Sequence, residues 1–128
     1  MSVNFKTART LLASALRTAN TSGPVTTDPV AGHARLYLNV TVASGTGGLN
    51  VVVRGYDRIT GNAVQITQGG AAVTTTGTYV YELGISPSAA FGSVKAAESR
   101  ALPFQWDALV THADSSNYTY SLSVEITR

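Results

Sequence analysis

The sequence predicts an all-β fold, a single antiparallel β-sandwich of jelly-roll or immunoglobulin-like type. It has about seven or eight strands and an extended N-terminal arm. Three observations carry that reading. Large apolar and polar residues alternate at period two along residues 33–43, 102–112 and 117–127. Successive side chains leave a strand on opposite sides, so this is the pattern of strands with one buried face. Clusters of Gly, Ser, Asn and Pro separate the runs, as turns do. Finally, only 12% of the 128 residues are charged, about half the usual share, and Gly, Ser, Thr, Ala and Val dominate instead.

Taken in order, residues 1–30 read as an arm with its linker and residues 31–128 as the sandwich domain. Residues 7–18 fit a helix by propensity, through Leu, Ala and Arg, and fit a strand by alternation; an arm with one strand is the reading adopted. Asn20–Pro24 and Asp28-Pro29 force irregular, extended backbone. Residues 33–43 form the cleanest strand, with Ala34, Leu36, Leu38, Val40 and Val42 on the buried face. Ser44–Gly48 reads as a hairpin loop, after which Leu49, Val51, Val53 and Gly55 continue the buried face. Tyr56–Asn62 is a second turn and residues 63–68 the third strand. Residues 71–75 and 78–83 supply one or two more, and residues 85–100 read as a loop or short helical turn. In the closing pair, Phe104, Trp106, Ala108 and Val110 share one face. Tyr118, Tyr120, Leu122, Val124 and Ile126 do the same on the partner strand, and residues 113–117 are expected to join the two strands as a hairpin.

Length and an apolar content of 44% suit one domain with its own core. There is no cysteine, which excludes a disulfide framework, a thiolate nucleophile and a cysteine zinc site. Stability then comes from the core, from oligomerisation, or from both. The low charge density suggests a surface partly covered by neighbours. A net charge of +2 does not indicate nucleic acid, but its distribution is uneven: Lys6, Arg9 and Arg17 precede any acid, the first being Asp28. Such a segment is drawn to acidic surfaces. No run reaches the roughly 18 apolar residues of a membrane span. Leu11–Leu16, interrupted by Ser14, is short for a secretory signal and is read as mature chain. The Asn-x-Ser/Thr triplets at Asn20, Asn39 and Asn117 read as chance matches in a Ser/Thr-rich sequence.

Chemistry is sparse. His112 with Asp107 and Asp114 is the one polar constellation of note, and two neighbours from one hairpin fall short of the three or four ligands a metal needs. A hydrogen-bonding role for His112 and a turn-capping role for Asp114 are expected. No Gly-x-Ser-x-Gly elbow occurs, and the seven acids are scattered. The glycine stretches at 45–48 and 69–70 precede no helix and so are not phosphate cradles. Trp106 reads as core. The chain is therefore expected to be no enzyme and to use no cofactor or metal.

One resemblance spans most of the chain. It rests on Leu11–Asn20, on Leu36–Val42 with Ser44–Gly47, and on Val51–Asp57 with Thr60-Gly61. Leu102-Pro103, Trp106, His112–Asp114 and Tyr118–Ser121 complete it. This pattern resembles small β-sandwich structural proteins encoded among the head genes of tailed bacteriophages; the proline-broken stretch Pro24–Pro29 departs from it. The resemblance implies a virion component on the capsid surface, made in the host bacterial cytoplasm, most simply a decoration or cement protein. Its implied partners are the major capsid protein and sister subunits, with a trimer preferred and neither nucleic acid nor membrane involved. The assembly contact is expected on the arm, where Phe5, Leu11, Leu12 and Leu16 anchor and Lys6, Arg9 and Arg17 steer. A tail or head–tail connector component and a carbohydrate-binding module using Trp106 and Tyr37, Tyr56, Tyr118 and Tyr120 stand as alternatives.

Overall fold

Ten strands run through the described residues, 6–27, 33–84 and 93–127, of the computed structural model. They are β1 (Lys6–Arg17), β2 (Thr21–Ser22), β3 (Thr26–Thr27), β4 (His33–Ala43), β5 (Leu49–Tyr56), β6 (Ala63–Gln65), β7 (Gly77–Gly84), β8 (Val94–Glu98), β9 (Gln105–His112) and β10 (Tyr118–Thr127). Seven of them have five residues or more, and these carry the sandwich. Sheet I runs β1-β10-β4-β7-β8, and sheet II runs β2-β9-β5-β6 with β3 also on β9. Every pairing is antiparallel except β7 with β8, which is parallel.

The inner faces follow the alternation. Ala34, Leu36, Leu38 and Val40 of β4 meet Leu49, Val51 and Val53 of β5 in one core, with Trp106, Ala108 and Val110 opposite Tyr120, Leu122 and Val124. Trp106 is fully buried. Of the two readings open for residues 7–18, the strand is the one found, and β1 pairs along β10 from Lys6 to Arg17. β2 and β3 lie on β9, so residues 6–27 border both sheets.

Several expectations are corrected. β9 and β10 do not form a hairpin: β9 pairs with β5 in sheet II, and β10 pairs with β1 and β4 in sheet I. Residues 113–117 therefore arch from one sheet to the other. Ser44–Gly48 is likewise an arch, from β4 in sheet I to β5 in sheet II. Alternation reports which face of a strand is buried but not which strand is its neighbour, so hairpin and arch share one signature. Val42 is 44% exposed because the β10–β4 register shifts between Thr119 and Tyr120, which pair with Val42 and Val40 and leave Thr41 as the extra residue. The bulge turns Val42 to the outer face. Phe104 lies before the start of β9 and is 39% exposed, under the Arg58 guanidinium at 4.0 Å. Residues 94–98, read within a loop, form β8; residues 85–92 lie outside the described residues. The third strand stops at Gln65, and Ile66 and Thr67 turn in toward Val53.

Val124 is 1% exposed in the middle of β10. Val124→Asp buries an unpaired carboxylate and is expected to cost about 4 kcal/mol. Urea denaturation checks this, and unchanged stability would show that the assigned face is wrong.

Candidate functional site

The residues expected to form an assembly contact separate into distinct environments. Phe5 and the Lys6 side chain lie outside the described residues. Leu11 is 6% exposed and belongs to the core, with Leu12 packed half-buried against it. Arg9 is exposed, and Leu16 is 58% exposed, opposite Thr119 on the outer side of sheet I. Of the described members of the set, only Arg9 and Leu16 are exposed, Arg9 opposite the inward Val124 and Leu16 opposite the outward Thr119 on the same edge strand, while Leu11 and Leu12 hold that strand in place. Alternation alone misleads here because β1 is bulged twice, between Thr10 and Leu12 and between Leu12 and Ala15. Each bulge flips the inside–outside parity.

Arg17 is engaged at the second bulge. Its guanidinium donates to Ala13 O at 2.7 Å, Ala15 O at 3.3 Å and Tyr120 O at 2.7 Å. Its carbon centre lies 4.7 Å from the centroid of the Tyr120 ring. A planar fork with five donors can satisfy several carbonyls of a broken ladder at once.

At this end of the sandwich three connections pass between the sheets: 17–21, 43–49 and 112–118. Asp114 binds two of them together. Its Oδ2 accepts from Gly47 N at 2.7 Å, and its Oδ1 accepts from Ser116 N at 3.2 Å and Tyr118 Oη at 3.1 Å. The Tyr118 hydroxyl in turn accepts from Gly48 N at 2.9 Å. Gly48 has φ of +88°, and a Cβ on Gly45 would collide with Tyr118 Oη and Asp114 Oδ2; the glycine-rich run is the shape this clamp requires. His112 ties in the third connection. Its backbone N donates to Asn20 Oδ1 at 2.7 Å, and its Nε2 lies 2.8 Å from Tyr120 Oη, while its ring meets Tyr118 edge-on at 5.5 Å. The structural roles expected of His112 and Asp114 are the ones observed.

The backbone amide of Gly47, then those of Ser116 and the Tyr118 hydroxyl, hold the Asp114 carboxyl below the usual carboxylate range. Burial lowers the His112 pKa, Asp114 opposes that, and Arg17 adds to it, leaving a net decrease. His112 Nδ1 is buried without a hydrogen-bond partner among the described residues, so protonating it adds a donor with nowhere to go.

Asp107, the third member of the expected constellation, is elsewhere. It is buried on the outer side of β9, taking Arg54 Nε at 2.9 Å and Tyr56 Oη at 2.7 Å. Among the described residues no three His, Asp or Glu side chains are grouped to hold a metal ion. Nor do the aromatics form a sugar platform. Trp106, Tyr118 and Tyr120 are all in the core, and Tyr37 and Tyr56 lie on different sheets. No protein-family profile matches the chain, and no curated protein sequence is similar to it.

The folded chain takes up the His112 proton at lower pH than the unfolded chain, whose histidine titrates near 6.5. Unfolding therefore binds a proton, and this contribution to stability is full above that value and declines as pH falls through it. His112→Gln should flatten the slope of unfolding free energy between about pH 7 and pH 5. Urea titrations of both proteins at three pH values check this; identical slopes would remove His112 as the cause.

Proposed function

We propose that the chain is a non-enzymatic virion structural protein of a tailed bacteriophage, a capsid decoration or cement protein. In this role it stabilises the head shell through contacts with the major capsid protein and with sister subunits. The observation that carries the reading is where the side chains are committed. The aromatics of the closing strands fill the core, and the polar clusters bond strand to strand or arch to arch. What stays outside on sheet I, from its edge strand β1 across β10 to β4, is a rung holding two exposed aliphatics, Leu16 and Val42. A cement protein requires a rigid body and a contact surface, with no reacting group. The sequence resemblance supports the same reading.

The contact is placed on Arg9 and Leu16, with Leu11, Leu12 and Arg17 fixing the strand that presents them. Removing the whole segment is a poor test, because it would take Leu11 from the core and leave β10 unpaired. The variant Leu16→Asp keeps the core. Wild-type protein should co-sediment with shells assembled without it. The variant, with unchanged melting, should bind at least tenfold more weakly, about 1.4 kcal/mol. Failure of the wild type to bind shells, or its absence from purified virions by mass spectrometry, overturns the reading. Equal binding by the variant moves the contact off Leu16.

A further inference from the structure

The outer face of sheet I carries a groove and an exposed leucine on the same strand. We propose that this face is a self-association surface, and that its partner is a second copy of the chain packed face to face. The inference goes beyond the proposed function and competes with it for Leu16, since a dimer closed on this face can meet a shell only through other surfaces.

The register defines the face rung by rung. Leu16, Thr119 and Val42 stand side by side on β1, β10 and β4. Ser121 and Asn39 follow, and then Thr10, Ser123 and Tyr37. None of these residues is charged. Charge begins at the border of this centre, with Arg9 beside Thr10 at the groove and then with Glu125 and with Arg35, whose Nε donates to Glu82 Oε1 at 2.6 Å. An uncharged centre bordered by charge is the usual anatomy of an interface, and it sets no like charges against each other when the face meets its own copy.

Relief gives the face its complementarity. The small side chains of Ala8, Thr10 and Ser123, bordered by Arg9, Tyr37, Val124 and Glu125, leave a groove of about 290 Å³ over β1 and β10. Leu16, 58% exposed on the same strand, rises on the other side of the Ser121 rung. Knob and groove are roughly 15 Å apart at about 3.4 Å per residue. A two-fold axis in the plane of the face, running across the strands near Ser121, reverses strand direction and keeps lateral position. It sets each Leu16 over the groove of the other copy, as an isologous contact requires. The face spans roughly 500–600 Å² per copy by strand spacing and rise, close to the lower bound of about 1,200 Å² in total for a specific interface. Pairing through the neighbouring β1 edge is the weaker route, because two bulges break that edge and the Arg17 guanidinium occupies its carbonyls.

Sedimentation equilibrium of the full chain tests this. The wild type should form a dimer. Leu16→Glu puts a carboxylate on the knob, and Thr10→Trp fills the groove from an exposed position; each should weaken self-association at least a hundredfold with melting unchanged. If Leu16→Glu does not fold, Thr10→Trp decides alone. A monomeric or trimeric wild type, or a Thr10→Trp protein that dimerises as the wild type does, overturns the proposal. Shell binding by an obligate monomer would leave the cement reading intact while sinking this one, and a dimer that ignores shells would do the reverse.

Discussion

The carboxylate of Asp114 is the point on which the rest of the sandwich depends. Two arches bring the chain from one sheet to the other at the same end, and each presents backbone amides that its own strands cannot satisfy. Across the gap, Asp114 and the Tyr118 hydroxyl accept from the Gly47 and Gly48 amides and Gly48 O accepts from Ala113 N, while Ser116 N is met by Asp114 within its own arch. An unmet buried donor costs about 1–3 kcal/mol, so neither arch is stable at this spacing without the other. The clamp fixes how β4 and β5 are offset, and equally β9 and β10, and so sets which core side chains face each other. His112 and Arg17 extend the same logic to the first crossing.

Fold class was legible in the sequence because burial writes itself into period two. β4 is found at the boundaries its alternation gives, His33–Ala43, and the inward ladder of β10 from Tyr118 to Ile126 is buried throughout. Partnership was not legible. Nothing local in residues 113–117 distinguishes a return along the same sheet from a step into the opposite one, since both use a short polar link between alternating strands. The glycines of the 44–48 stretch were visible, but their reason, close approach of Asp114 and Tyr118 from far along the chain, was not.

The contact residues were only partly legible, for a related reason. A list of apolar and basic residues on a bulged edge strand does not say which of them faces in. Leu11 and Leu16 are chemically equivalent in sequence, yet one is core and the other lies mostly in solvent. The same holds for the two arginines, Arg17 closing a gap in the ladder and Arg9 lying exposed. Bulges change parity without leaving a residue signature, so a count of alternating positions drifts after the first one.

The order of strands in sheet I bears on how the chain comes together in time. β10 lies between β1 and β4, so the first strand acquires its partner only when the tenth is made. During synthesis β1 waits, and the edge of β4 that β10 will cover stays open with its apolar face beside it. Closure is a late, long-range event of the kind that folds slowly and is exposed to aggregation in the interval. A chaperone that shields β4 should therefore matter more to yield than any change on the finished surface. The outer face of sheet I also comes into being all at once, when β10 inserts, so a partial chain has no version of it to offer.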